Sequence, residues 1–258
     1  MAPLKPNSRL SVFELVSSTV AEAGMRWKVL LQAALTPMAA GTLLVWLCNT
    51  LGLPKLGTVI SILLVLAFYR VVHRLVLAEI PPPLPLGISL GAHELHFYMH
   101  FLAAAFLPMV VVVPVYIGLA LLIGSTPDAV WLPMTLAGLL ALYLGTRLTL
   151  VLPMVAMGHG SKLTERLFMA WRLSRGNGMT LVLATLLMAL LAIFMVLLPT
   201  ALVKGIAVVL GAPILLDAVH VLGDFVTGSL SSIFVSLAYQ RLSSGVLVPT
   251  QSDDDDAI

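Results

Sequence analysis

Six long stretches almost without charge, separated by short segments that hold nearly all of the Lys and Arg, dominate the pattern of this chain. Uncharged residues fill 29–54, 56–69, 101–127, 129–146 and 176–203, and a sixth stretch, 219–240, carries a single acidic residue, Asp224. A helix rises about 1.5 Å per residue, so a hydrocarbon core of ~30 Å needs about 20 residues, and most of these stretches are long enough. The pattern predicts an all-α integral membrane protein, one domain over 1–242, with spans at about 27–50, 56–78, 98–123, 130–157, 178–203 and 217–241.

Between the spans the period changes to that of amphipathic helices. In 8–24, Val12, Val16 and Val20 share one face while Glu14, Ser18 and Glu22 share another, and Ser11 and Glu14 have capping-box spacing. A second such segment, 91–100, follows the Pro81-Pro82-Pro83 break. A third, 161–174, sets Leu163, Leu167, Ala170 and Trp171 against Lys162, Glu165, Arg166 and Arg172. Each precedes a pair of spans, which predicts interfacial helices before helices 1, 3 and 5. Each pair also ends with a Tyr shortly before an Arg: Tyr69-Arg70, Tyr143 to Arg147, and Tyr239 to Arg241. That is the trace of a threefold repeat of roughly 70 to 80 residues. The segment 204–216, broken by Gly205, Gly211 and Pro213, reads as a short helix on the outer face or a re-entrant piece. The acidic tail, 243–258, reads as disordered.

Composition agrees with this reading: 60% of residues are hydrophobic, 10% are charged and the mean hydropathy is +1.06, against about 25% charged residues in an ordinary soluble domain. Eleven of the fourteen Lys and Arg fall on one side, only Lys55 and Lys204 on the other, and Arg147 inside a span. The positive-inside rule then places both termini in the cytoplasm of a bacterial-type inner membrane. Trp27, Trp46 and Trp131 stand at span ends, where amphipathic rings favour the headgroup level. Cys48 is the only cysteine, so one chain can form neither a disulfide nor a thiolate metal cluster. The N-terminus lacks the pattern of a signal peptide.

Charge within a span needs an explanation, because insertion costs roughly 2.5 to 3.5 kcal/mol at the bilayer centre. Arg147 either snorkels to the headgroups or sits deeper and needs a partner. Asp217, His220 and Asp224 fall at i, i+3 and i+7 on the last helix, and with Arg147 they form a candidate intramembrane polar site. A carboxylate–imidazole–carboxylate face could relay protons or hold a cation, or merely be a polar helix entrance. His93, His96 and His100 share a helical face suited to zinc, but also to contact with headgroups. His159 lies in a Gly-His-Gly break, and Gly176-Asn177-Gly178 reads as a helix start capped by Asn177, not a phosphate loop. No GxSxG, HExxH, paired CxxC or dinucleotide fingerprint is present, so neither an enzyme nor a cofactor is expected. Lys162, Arg166, Trp171, Arg172 and Arg175 are candidate contacts to anionic lipid headgroups, and nucleic-acid binding is not expected.

Three motifs, Arg147 with Pro153 six residues on, 170–177 (Ala-Trp-Arg-Leu-Ser-Arg-Gly-Asn) and 238–242 (Ala-Tyr-Gln-Arg-Leu), resemble the bacterial membrane proteins grouped with the membrane domain of glycerophosphoryl diester phosphodiesterases. The resemblance implies a multi-span helical module. It does not extend to phosphodiesterase activity, since no soluble stretch could house that domain and Gly158-His159-Gly160 stands where the family often has an acidic residue. The chain therefore reads as a non-enzymatic protein of lipid or envelope organisation, or a membrane partner of another protein or of a second copy. The alternative is a small transporter with its site near Arg147 and the last helix. Reporter fusions after Ser252 and within 125–128 should report opposite sides of the membrane; the same side for both would overturn the six-span reading.

Overall fold

The computed structural model describes residues 10–78, 80, 91–123, 130–158, 162–212 and 214–244, and every element among them is helical. The order is α1 (Val12–Thr50), α2 (Pro54–Ala78), α3 (Ala92–Ile123), α4 (Trp131–Leu148), α5 (Val151–Ala156), α6 (Leu163–Leu173), α7 (Gly178–Leu210) and α8 (Ile214–Ser243). With α4 and α5 taken as one span, six helices are long and apolar enough to cross a bilayer, the architecture of a polytopic membrane protein.

Two of the hairpins are closed by left-handed glycines. After α1, Gly52 adopts φ 74° while the Leu53 amide reaches back to Cys48 C=O at 2.8 Å, and Pro54 then opens α2, where its missing N–H costs nothing. After α7, Gly211 adopts φ 62° and the Ala212 amide reaches Ala207 C=O at 3.1 Å. These turns lie together at what we term the far end, tied by Asn49 Nδ2 donating to Asp217 Oδ1 at 3.1 Å. The opposite, basic end holds the arginine contacts described below.

Around the bundle α2 packs on α3, α3 on α4, α4 on α7, α7 on α8 and α8 on α2, while α1 lies along α2 and α8. At the basic end α5 fills the middle, touching α2, α3, α6 and α8, and all six of its residues are buried. One core surrounds α5, joining Leu15, Phe97, Leu150, Met154, Leu181 and Phe234. A second joins α1, α2 and α8 through Ala33, Phe68, Val72, Phe225 and Ile233. Outward, Phe106, Val110, Leu121 and Leu122 of α3 and Phe194 and Val209 of α7 stand exposed, an arrangement that hydrocarbon accepts and water would not.

Several elements differ from the sequence reading. The segment 8–24 is not a separate helix, because nothing between it and the first span breaks the ladder. α1 runs 39 residues, about 58 Å, and the first turns bury Leu15 and Thr19 against protein. The segment 91–100 likewise forms the first turns of α3, whose first proline is Pro108. The fourth span is split instead: Pro153 offers no N–H to Thr149 C=O, which accepts from the Leu152 amide at 3.0 Å, and a short break separates α4 from α5. Residues 204–210 extend α7, so they are neither re-entrant nor a separate helix. His159 and residues 245–258 of the tail lie outside the described residues.

Among the described glycines, the one with least room for a side chain is Gly228 of α8, beneath the Tyr69 ring of α2, where a Cβ would overlap the aromatic carbons. Gly228→Ala should therefore destabilise the protein by about 1–3 kcal/mol. Tyr69→Ala should suppress that cost in a double-mutant cycle followed by thermal melting in detergent; additive losses would show that the two helices do not meet there.

Candidate functional site

Arg147, the residue that most needed a partner, is buried, with 5% of its surface exposed. Its Nε donates to Ser174 Oγ at 2.7 Å, Nη1 to Tyr143 Oη at 3.0 Å and Nη2 to Trp171 C=O at 2.8 Å. The guanidinium also lies over the Trp171 ring, 3.4 Å from its centroid. Ser174 can take the Nε proton because its own hydroxyl donates back to Ala170 C=O at 2.9 Å. Arg147 is therefore held within the protein, and among the described residues its hydrogen-bond partners are Tyr143 of α4, the Trp171 carbonyl of α6 and Ser174 just past it, not a carboxylate.

The same device recurs at two other span ends. Arg70, two turns before the end of α2, forms an ion pair with Glu94 in the first turn of α3. Arg241, closing α8, donates Nη2 to Ser18 Oγ at 2.8 Å and pairs through Nη1 with Glu14 at 3.1 Å, both on the first turns of α1. The three arginines that the Tyr-to-Arg pattern picked out thus each hold an amphipathic segment, and the third returns to the first. Asn177 adds to that closure: its Oδ1 accepts from the Leu10 amide at 2.9 Å, so its side chain caps the approach to α1 as well as preceding α7. Ser11 accepts from the Glu14 amide at 3.5 Å, as the capping spacing predicts.

Arg166 was expected at the lipid headgroups and is instead buried beneath α6. Its Nη1 lies 2.9 Å from both His96 Nε2 and His100 Nε2 of α3. His100 Nδ1 lies 2.8 Å from His96 C=O; that ring nitrogen carries the proton, which leaves Nε2 as the acceptor the guanidinium requires. Burial holds the Arg166 pKa below its ordinary value, while Glu165 beside it acts in the opposite sense. The histidine face considered for zinc is therefore occupied at two of its three positions by a cation from this same chain, and His93 is exposed. Among the described residues no three of His, Cys, Asp and Glu converge on a metal-sized space.

Lys162, Arg172, Arg175 and Trp171 are exposed on the outer side of α6, together with Phe168 and Met169. The last helix places its acidic residues elsewhere. Asp217 meets Asn49 at the far end, and Asp224, also exposed, accepts from Ser61 Oγ at 3.4 Å. The length of α1 separates these residues from Arg147, since Leu10, just before it, meets Asn177 near Ser174 while Asn49 lies in its last turn, over 50 Å along the helix at about 1.5 Å per residue. The structure brings Asp217, His220 and Asp224 onto one face and leaves Arg147 at the other end. Two surface hollows are apolar: one lined by Phe101, Pro108, Ala141, Gly145 and Leu152, the other by Leu202, Gly205, Ile206 and Val209.

Sequence reasoning missed Tyr143, Ser174 and Glu94 as arginine partners, and missed His73, whose Nδ1 lies 2.7 Å from Ser236 Oγ in the α2–α8 seam. Tyr143 could have been found as the i, i+4 neighbour of Arg147; Ser174 and Glu94 are set by tertiary packing alone. Compared with family models, curated proteins and solved structures, the chain matches none of them.

Arg147→Lys should lower the melting temperature measurably, by about 1–3 kcal/mol of stability, because one ammonium cannot serve three acceptors in a fixed fork. Arg147→Leu should cost at least as much by stranding the Trp171 carbonyl. Wild-type melting of both variants would reduce Arg147 to a topology anchor.

Proposed function

We propose that this protein is a non-enzymatic, multi-pass inner-membrane protein that organises anionic lipid at its cytoplasmic, basic end. One observation carries the reading: α6 is pinned from beneath and dressed on its outer side. Arg147 and Arg166 hold its inner face to α4 and α3, while Trp171, Phe168 and Met169 stand exposed among Lys162, Arg172 and Arg175. A fixed amphipathic helix with aromatic and basic residues on its open side suits the headgroup region of an anionic leaflet. Positive charge concentrated at this end supports a cytoplasmic placement of both termini. The resemblance of the C-terminal half to a phosphodiesterase-associated membrane module supports the membrane part of the reading and no hydrolytic activity. The transporter alternative loses support from Arg147, which lies far from the acidic residues of α8.

The test reverses the three exposed charges, Lys162→Glu, Arg172→Glu and Arg175→Glu, and leaves Arg166 in place so that the fold is kept. Each basic residue near an anionic surface contributes on the order of 1 kcal/mol, so retention of phosphatidylglycerol by the purified protein should fall at least about tenfold. Native mass spectrometry would read the bound lipid, and an unchanged lipid complement in a correctly folded variant would overturn the proposal.

A further inference from the structure

The seam between α2 and α8 holds polar groups toward each of its two ends, with Val65 and Gly228 at the turn between. The two helices run parallel, both from the far end to the basic end. Ser61 meets Asp224 and His73 meets Ser236 at the same offset of 163 residues. Those contacts are twelve residues apart, about 18 Å along the helices. Tyr69 and Ser232 lie between them. The Tyr69 ring sits over Gly228, one turn from Asp224 on α8, while Ser232 is one turn from Ser236. Nε2 of His73 and Oγ of Ser232, in residues 1% and 2% exposed, have no hydrogen-bond partner among the described residues.

Buried donors and acceptors at membrane depth are expensive, and intramembrane carboxylates and histidines mark ion or proton paths. On the far side, Asp224 is exposed and His220 lies one turn above it, close enough to act on it electrostatically. On the inner side, His73 engages Ser236 through one ring nitrogen and keeps the other unpartnered. A relay residue requires that arrangement, accepting on one nitrogen and releasing from the other. Phe97 of α3 packs beside the imidazole, with ring centroids 6.0 Å apart. The groups facing the two ends of the seam are Asn49 of α1, Asp217 and His220 of α8, and Ser61 and Tyr69 of α2 toward Asp224. Toward His73 they are Ser232 and Ser236 of α8, with the Arg70–Glu94 pair one turn away.

We infer that the α2–α8 seam is a proton path, with Asp224 the group that exchanges protons with the far side and His73 the buried carrier that passes them on through Ser236. Each transfer breaks one O–H or N–H bond and forms the next, with water entering the seam as the link across Ser232 and Tyr69. No electron moves, and the net change is one proton carried from the far side to the basic side. This inference goes beyond the lipid reading and stands or falls separately from it.

The test is proton flux into proteoliposomes of defined phosphatidylcholine and phosphatidylglycerol carrying a trapped pH-sensitive dye, with the membrane potential clamped by potassium and valinomycin. Wild-type protein should dissipate an imposed pH gradient at least about fivefold faster than protein-free vesicles. Asp224→Asn and His73→Phe should each return the rate to the vesicle background, and Asp224→Glu, which keeps the exchangeable proton, should retain flux. His73→Gln, closer in size and polarity, serves if the Phe variant does not fold. A wild-type rate equal to that of protein-free vesicles overturns the inference, as does wild-type flux in a folded Asp224→Asn variant. Lipid retention measured on the same preparations scores the other proposal independently.

Discussion

A guanidinium inside an apolar bundle is tolerated only when its donors are satisfied, and much of the basic end is arranged to meet that demand. Arg147 spends its donors on a tyrosine hydroxyl, a serine hydroxyl and a helix carbonyl, and its flat face on an indole ring. These contacts fix how α6 turns back beneath α4. The Asn177 contact to Leu10 then carries the fixed position to the start of α1. Without the arginine, the amphipathic segments would have only apolar packing to orient them, which is non-directional. With it and its two counterparts, each helical hairpin grips another part of the chain at a defined point.

Much of the fold was legible because hydrocarbon admits few spanning structures, so charge-free length alone locates the helices. Six helices long and apolar enough to cross a bilayer are present among the described residues, the number that charge-free length predicts. Where the sequence reading failed, the local mark was either absent or outweighed. Amphipathicity in 8–24 and 91–100 looks the same whether the apolar face meets lipid or protein, and here Leu15, Thr19 and Phe97 meet protein. The break after Leu148 depended on Pro153 five residues on, a local signal that was present but outweighed by the continuous apolar run.

The candidate sites were legible in type more than in partner. Arg147, Asp217, His220 and Asp224 stood out because charge is rare in spans, and that rarity says nothing of what each side chain faces. Arg166 shows the limit: surrounded in sequence by Glu165, Leu167 and Phe168, it looks like a solvated helix face, yet α3 brings His96 and His100 to it. His73 was invisible for the opposite reason. One imidazole near a span end carries no period, and its meaning comes only from Ser236, on a helix 163 residues away.

That separation has a consequence for how the molecule is made. Among the described helices α2 emerges early and α8 last, so while the three intervening spans are being synthesised Ser61, Tyr69 and His73 must face either lipid or a temporary neighbour. The seam can zip only when the final helix enters the membrane. Its arrival also delivers Arg241 to Glu14 and Ser18 near the opposite terminus. The first and last of the described helices are thus clasped together, and a chain stopped before Ile214 holds an unfinished wall that exposes a file of polar side chains to the bilayer.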